Sequence, residues 1–351
     1  MNAIIIGSVI SFIITLFLLP VIIKIAVNKK LFVVKHYRKV HQQNTSSLGG
    51  IAIFSGVLFT MLFFSDFISF KEIRYYMAAG SFIFLVGLRD DLHQVKPSGK
   101  LLGQIVAALI IIFLGKIRIE YFDSWFEGFQ LPYWGSVLLT IFIIIWFINA
   151  YNFFDGIDLQ ATMIAIVILI PAAFWFFLTA QYNFSLLLFS TSAALIAFLF
   201  FNYSPSKIFM GDTGTVTIGF ITAFSFIKFV NLNNLENLSD FSFPHPFLFG
   251  LLIMQLPLAD SIRVVIIRLI RKKSPFIADK NHFHHLLLKL KWNHPAIAVF
   301  SSLYTLIMMI INMLLFKYSI NIWIISITNS MALLTLYSLI YRKIAIIKKS
   351  K

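Results

Sequence analysis

GSVLLTIFIIIWFINAYNFFDGIDLQATMIAIVILIPAAFWFFLT, residues 135–179, holds two apolar runs, 135–150 and 161–179, on either side of a polar turn. Neither run contains Lys, Arg, Asp or Glu, and Asp155 and Asp158 both fall in the turn between them. Each run approaches the roughly 20 apolar residues that carry a helix across a bilayer. The stretch therefore reads as two membrane helices joined at a polar end.

The same reading extends outward. Further apolar runs cover 3–27, 50–67, 75–88, 101–114, 184–201, 215–230, 247–267, 296–316 and 320–341, so the expectation is about eleven spans. Composition agrees: 59% of the 351 residues are apolar and 12% charged, against about 45–50% and about 25% in a soluble domain. The expected fold class is an all-α polytopic membrane protein, a single integral membrane domain over 1–351. Cysteine is absent, which excludes disulfides, thiolate-bound metal clusters and thiol nucleophiles. Residues 2–27 lack a cationic leader region and a small-residue cleavage site, so they are expected to stay as the first span.

The formal charge of +15 would point to nucleic acid in a soluble chain; here it records topology, and no nucleic-acid partner is expected. With the N-terminus outside and the C-terminus in the cytoplasm, 23 of the 29 Lys and Arg lie on inner segments and 5 on outer ones, Lys228 falling inside a span. That bias follows the positive-inside rule. The inner carboxylates are all Asp: Asp90, Asp91, Asp155, Asp158, Asp212, Asp260 and Asp279. Short carboxylates at span ends suit a metal and phosphate site. An outer connection over 116–133 alternates weakly, as a small hairpin would.

Five constellations fall on the inner side, in loops near 28–49, 89–100, 149–160, 202–214 and 268–295. Asp90-Asp91 is followed by Lys100, a fixed charge suited to a phosphate; a solvated turn is the plain alternative. Asn149, Asn152, Asp155 and Asp158 recur every three residues across a span end, an oxygen-rich set suited to Mg²⁺. Gly211-Asp212-Thr213-Gly214 opens a span, where Asp212 reads as a metal ligand or a helix cap. His282, His284 and His285 cluster in the most basic loop and suit hydrogen bonding to sugar and phosphate oxygens. Gly49-Gly50 begins a span and permits close approach of a ligand or of another helix.

Together these motifs resemble the polyprenyl-phosphate N-acetylhexosamine-1-phosphate transferases of cell-envelope glycan synthesis, in the order that family shows. The His282-Phe-His284-His285 form is similar to the branch that initiates O-antigen, enterobacterial common antigen or teichoic acid. Two departures stand out: Leu159-Gln160 replaces the Gly-Leu usual after Asp158, and the first loop lacks the usual prolines and Arg. The resemblance implies transfer of a HexNAc-1-phosphate, most commonly GlcNAc-1-phosphate, from a UDP-sugar to undecaprenyl phosphate, releasing UMP. It implies Mg²⁺ (or Mn²⁺) held by Asp212 and Asn152, and catalysis on the acceptor side by Asp90 and Asp91 with Lys100. Nucleotide binding would fall to Gly49, Gly50, Asp155, Asp158 and Asn202, and sugar-phosphate binding to His282, His284 and His285. The implied setting is the bacterial cytoplasmic (inner) membrane with the site facing the cytoplasm, and a homodimer is a further expectation. Alternatives are a phospho-MurNAc-pentapeptide transferase or a deoxy-HexNAc-1-phosphate transferase of the same family. An ion-coupled transporter is the rival from another class, disfavoured because the acids sit at span ends and no inverted repeat is visible.

Overall fold

The computed structural model describes residues 1–31, 45–64, 70–121, 130–235, 241–274 and 280–349. Within the described residues, each apolar run is largely helical. The helices are α1 (Asn2–Asn28), α2 (Gly49–Phe63), α3 (Phe70–Leu92) and α4 (Pro97–Leu109), the last continued by a π-helical turn, Ile110–Leu114. There follow α5 (Tyr133–Phe154), α6 (Gln160–Leu178), α7 (Tyr182–Asn202), α8 (Gly211–Leu235), α9 (Pro246–Ile253), α10 (Gln255–Ile270), α11 (Phe283–Lys289), α12 (His294–Lys317) and α13 (Ile322–Lys349). Among the described residues no strand forms. The connection over 116–133 carries one antiparallel bridge, Tyr121 to Gln130, with Leu131 N–H donating to the Glu120 carbonyl at 2.9 Å; 122–129 lie outside the described residues.

Eight of these helices are long and apolar enough to cross a bilayer, nine if α9 and α10 make one span. The difference from eleven has a physical basis. At 15 residues α2 is short, and α3 carries charge at both ends, with Lys71, Glu72 and Arg74 near its start and Arg89, Asp90 and Asp91 at its close. The run at 247–267 bends by 78° at Met254. Pro257 has no N–H to give the Ile253 carbonyl, so the helical ladder breaks at that point.

Burial grades across the bundle. In α8, 83% of the most apolar stretch is buried, against 28% in α1 and 22% in α13. The central helix is thus α8, packed against α3 and α5, while α1 and α13 expose long apolar faces such as Phe17 and Leu334, as lipid-facing helices do. Because α8 is central, its first turn lies among the ends of its neighbours. Among the described residues, the motif segments gather near that end.

Candidate active site

The short link between α3 and α4 turns tightly because Asp90 Oδ1 accepts the Val95 N–H at 2.7 Å and Pro97 starts α4 with no N–H to satisfy. This brings Lys100, in the first turn of α4, back over the end of α3. Its Nζ lies 2.6 Å from Asp90 Oδ2 and also pairs with Asp212 Oδ2 at the start of α8. One ammonium thus bridges two carboxylates from two helices. Burial, aided by the Asp212 charge and opposed by the Lys100 hydrogen bond, holds the Asp90 carboxyl above its usual range.

The paired acids point different ways. Asp91 Oδ1 accepts the Asp212 N–H at 3.0 Å, and Asp91 Oδ2 accepts the Thr213 N–H at 2.8 Å and Thr213 Oγ1 at 2.5 Å. It is the cap of α8, supplied from another helix, so Asp212 is not its own helix's cap. Burial chiefly, with the neighbouring Asp212 charge, pushes its carboxyl up to about 6 despite those hydrogen bonds. Gly211 has φ +70°, and a Cβ there would meet the Ser47 carbonyl and the Asp91 carboxylate. A side chain is excluded by both conformation and space.

From α5, Asn152 Nδ2 donates to Asp212 Oδ1 at 3.3 Å and to Thr215 Oγ1 at 2.7 Å. One turn earlier Asn149 exchanges two hydrogen bonds with Gln104 of α4, at 2.7 and 3.3 Å. The i, i+3 spacing therefore faces both amides toward the α4–α8 side, as expected. The helix then ends, and the next two acids leave that face. Asp155 is partly exposed, whereas Asp158 is buried, its Oδ1 accepting from Ser206 Oγ at 2.5 Å and its Oδ2 facing His294 Nδ1 at 3.1 Å.

Asn202 closes this turn. Its Oδ1 accepts the Leu159 N–H at 2.8 Å and its Nδ2 donates to the Ile208 carbonyl at 3.2 Å, with Leu159 at φ +70°. Gly49 and Gly50 pack against the neighbouring segment: their N–H groups donate to the carbonyls of Phe209 and Met210 at 3.0 and 2.9 Å. A Cβ on Gly50 would lie 2.2 Å from the Gly214 nitrogen, so α2 and α8 touch backbone to backbone.

The histidines approach from α11. His284 is buried, and its ring lies directly on Gly156, where a Cβ would stand 2.0 Å from Nε2. Burial first, then the neighbouring histidines, keeps it well below the usual imidazole pKa, so it is neutral at pH 7. Its Nδ1 has no hydrogen-bond partner. The rings of His284 and His285 are 4.2 Å apart. Asp279 lies outside the described residues.

The structure adds residues that spacing did not single out. Gln104, Thr215, Ser206, His294, Arg263, Arg268 and Tyr337 all contact the motif side chains. The Asp260-x-x-Arg263 spacing was a legible i, i+3 signal for one of these pairs. The others come from helices far away in the chain.

Asp212 with Asn152 offers hard oxygen donors beside a partly exposed turn, which is the chemistry Mg²⁺ requires. Among the described residues no three His, Cys, Asp or Glu side chains converge on one point. Such a pair fits an ion that takes few protein ligands and keeps water and substrate phosphate in its shell.

A lysine bridged between two carboxylates at converging helix ends is a charge arrangement suited to a phosphate. Residues 73–230, which include Asp90, Lys100, Asn152 and Asp212, match the family described as glycosyl transferase family 4. The chain is similar to a probable undecaprenyl-phosphate N-acetylglucosaminyl 1-phosphate transferase of Bacillus subtilis (strain 168), 29% identical over 84% of this chain and 80% of that protein. The decaprenyl-phosphate N-acetylglucosaminephosphotransferase of Mycolicibacterium smegmatis is 29% identical over 73% of this chain and 68% of its own length. The undecaprenyl-phosphate alpha-N-acetylglucosaminyl 1-phosphate transferase of Yersinia pestis is 28% identical over 76% and 72%.

Proposed function

We propose that the protein transfers GlcNAc-1-phosphate from UDP-GlcNAc to undecaprenyl phosphate, giving undecaprenyl-diphosphate-GlcNAc and UMP. An oxygen of the lipid phosphate attacks the sugar-bearing phosphorus, and the bond to the UMP oxygen breaks. The observation that carries this reading is Lys100 bridged between Asp90 and Asp212 in a chain whose relatives bear that activity in their names.

Lys100 holds the acceptor phosphate, and Asp90 orients it and takes any proton it carries. Burial first raises the pKa of its carboxyl above the ordinary carboxylate range, the direction a proton acceptor needs. Asp91 acts one step away, by fixing the first turn of α8 on which Asp212 stands. Asp212 and Asn152 would hold Mg²⁺ (or Mn²⁺), which when bound offsets the donor diphosphate charge and stabilises the leaving UMP phosphate. Gly49, Gly50, Asp155, Asp158 and Asn202 form the nucleotide side, the buried members shaping its floor. His284 and His285 read the sugar and its phosphate.

The charge bias supports a site on the cytoplasmic side of a bacterial inner membrane, with the N-terminus outside. The polyprenyl tail stays in the bilayer, the nucleotide sugar arrives from the cytosol, and the product is the first lipid-linked intermediate of an envelope glycan. Incubating the purified protein with undecaprenyl phosphate and a panel of UDP-sugars, and scoring UMP release, tests the reading; release with none of them overturns it.

A further inference from the structure

Asp260 is 1% exposed and takes four hydrogen bonds from three parts of the chain: its own helix, residues 282–283 and α13. Its Oδ1 accepts from Arg263 at 2.7 Å, from the Phe283 N–H at 3.0 Å and from the Tyr337 hydroxyl at 3.0 Å. Its Oδ2 faces His282 Nδ1 at 3.0 Å. On the other edge of the same ring, His282 Nε2 stands 3.3 Å from the guanidinium of Arg268. Arg268 is itself buried.

These contacts settle the tautomer. A carboxylate only accepts, so Nδ1 carries the proton and donates it to Asp260; a guanidinium only donates, so Nε2 is the acceptor. Both ring nitrogens of His282 are engaged inside the protein. Its ring and the Arg268 guanidinium then pack together on Phe153, at 5.7 Å in each case. Phe153 follows Asn152 in the chain, so the contact reaches the α5 end of the phosphate site.

We propose that His282, held by Asp260, is a positioning residue that fixes the buried guanidinium of Arg268 against Phe153, and that of the three histidines only His284 and His285 face substrate. Tyr337 makes α13 part of this arrangement. Its ring lies under the Arg263 guanidinium at 4.6 Å while its hydroxyl reaches Asp260. Arg263 meanwhile binds the Asn281 carbonyl just before the cluster. The chain of contacts runs Tyr337, Asp260, His282, Arg268, Phe153, and it ties the last helix of the protein to the end of α5.

A histidine with this role has a specific substitute. Gln also carries one donor and one acceptor at comparable reach, so His282→Gln keeps a donor for Asp260 and an acceptor for Arg268, while His282→Ala keeps neither. The inference rests on the transferase reading, and the experiment separates the two. Turnover and thermal unfolding in detergent are measured for wild type, His282→Gln, His282→Ala, Asp260→Asn and the Asp260→Asn/His282→Ala pair. The expected result is a tenfold or greater loss of kcat with little change in KM for His282→Ala, and recovery of most of that loss in His282→Gln. The double variant is expected to be no worse than the worse single one, in both kcat and melting temperature.

A His282→Gln protein as inactive as His282→Ala, at equal melting temperature, would show that the imidazole itself acts on substrate and overturn the proposal. Losses that multiply in the double variant would overturn it as well. If wild type makes no product with any UDP-sugar, the transferase reading fails on its own. The coupling of Asp260 and His282 in melting temperature then still decides whether the relay exists.

Discussion

Asp91 and Thr213 are joined by two hydrogen bonds, from the Thr213 N–H and from its hydroxyl, both to Asp91 Oδ2 at 2.8 and 2.5 Å. This is a helix cap delivered across the bundle, and it separates Asp91 from Asp90, which turns to Lys100 instead. Adjacent acids in the chain have different duties in the fold.

Replacing them should therefore have different signatures. Asp91→Ala is expected to lower stability by about 1–2 kcal/mol, the usual cost of a lost cap, with turnover falling because Asp212 shifts. Asp90→Asn keeps an acceptor for the Val95 N–H and should destabilise less than Asp91→Ala, while turnover collapses. Thermal unfolding in detergent paired with kcat measures both. Equal destabilisation by the two substitutions would contradict the separation.

Leu159 occupies a left-handed conformation, φ +70° and ψ −28°, before α6. Holding a non-glycine residue there costs on the order of 1–3 kcal/mol, and glycine removes that cost. Leu159 is also buried at 5% exposure, and truncating a buried Leu costs about 2–5 kcal/mol. Burial is the larger effect, so Leu159→Gly is expected to be net destabilising by roughly 1–2 kcal/mol, the difference of those ranges. A higher melting temperature for the glycine variant would show that strain dominates.

That residue also marks where sequence reading stops. Apolar runs located the long helices but not α11, the seven-residue helix that carries two of the histidines, because the bilayer demands about 20 apolar residues of a spanning segment and nothing of a short one. The motifs converge because each sits at a helix end on one side. What spacing did not separate was Asp90 from Asp91, or Asn152 from Asp158, since one local period serves both members of each pair. Their partners, Thr213, Ser206 and His294, come from distant helices whose packing no local pattern encodes. The bend at Met254 was hidden too, because hydropathy continues unbroken through Pro257.

His284 gives a pH signature. Burial lowers its pKa below the ordinary 6.5, so its neutral form contributes stability that is present above the unfolded pKa and lost as pH falls below about 6.5. The melting temperature difference between wild type and His284→Asn should therefore shrink between pH 7.5 and pH 5, across the ordinary imidazole pKa of about 6.5. A difference that stays constant over that range would mean the ring is not buried neutral.

Chelation tests the oxygen-donor site. With Asp212 and Asn152 as the ligands, EDTA should abolish turnover, and Mg²⁺ added in excess should restore it. Asp212→Asn should raise the Mg²⁺ concentration needed for half-maximal rate before it affects acceptor KM. Undiminished activity in EDTA would remove the metal from the account.

The most direct measurement is UMP release from UDP-GlcNAc and undecaprenyl phosphate by the wild-type protein beside Lys100→Met. The ammonium of Lys100 is the cation that bridges Asp90 and Asp212, and the lipid phosphate is expected to take its place between Lys100 and the carboxylates. The predicted result is UMP release that requires the lipid phosphate in wild type and falls by at least about a hundredfold in Lys100→Met, the scale of a lost charge contact to a reacting phosphate. UMP formed at the same rate by both proteins, or by wild type without the lipid acceptor, would contradict a phosphate transfer centred on this residue.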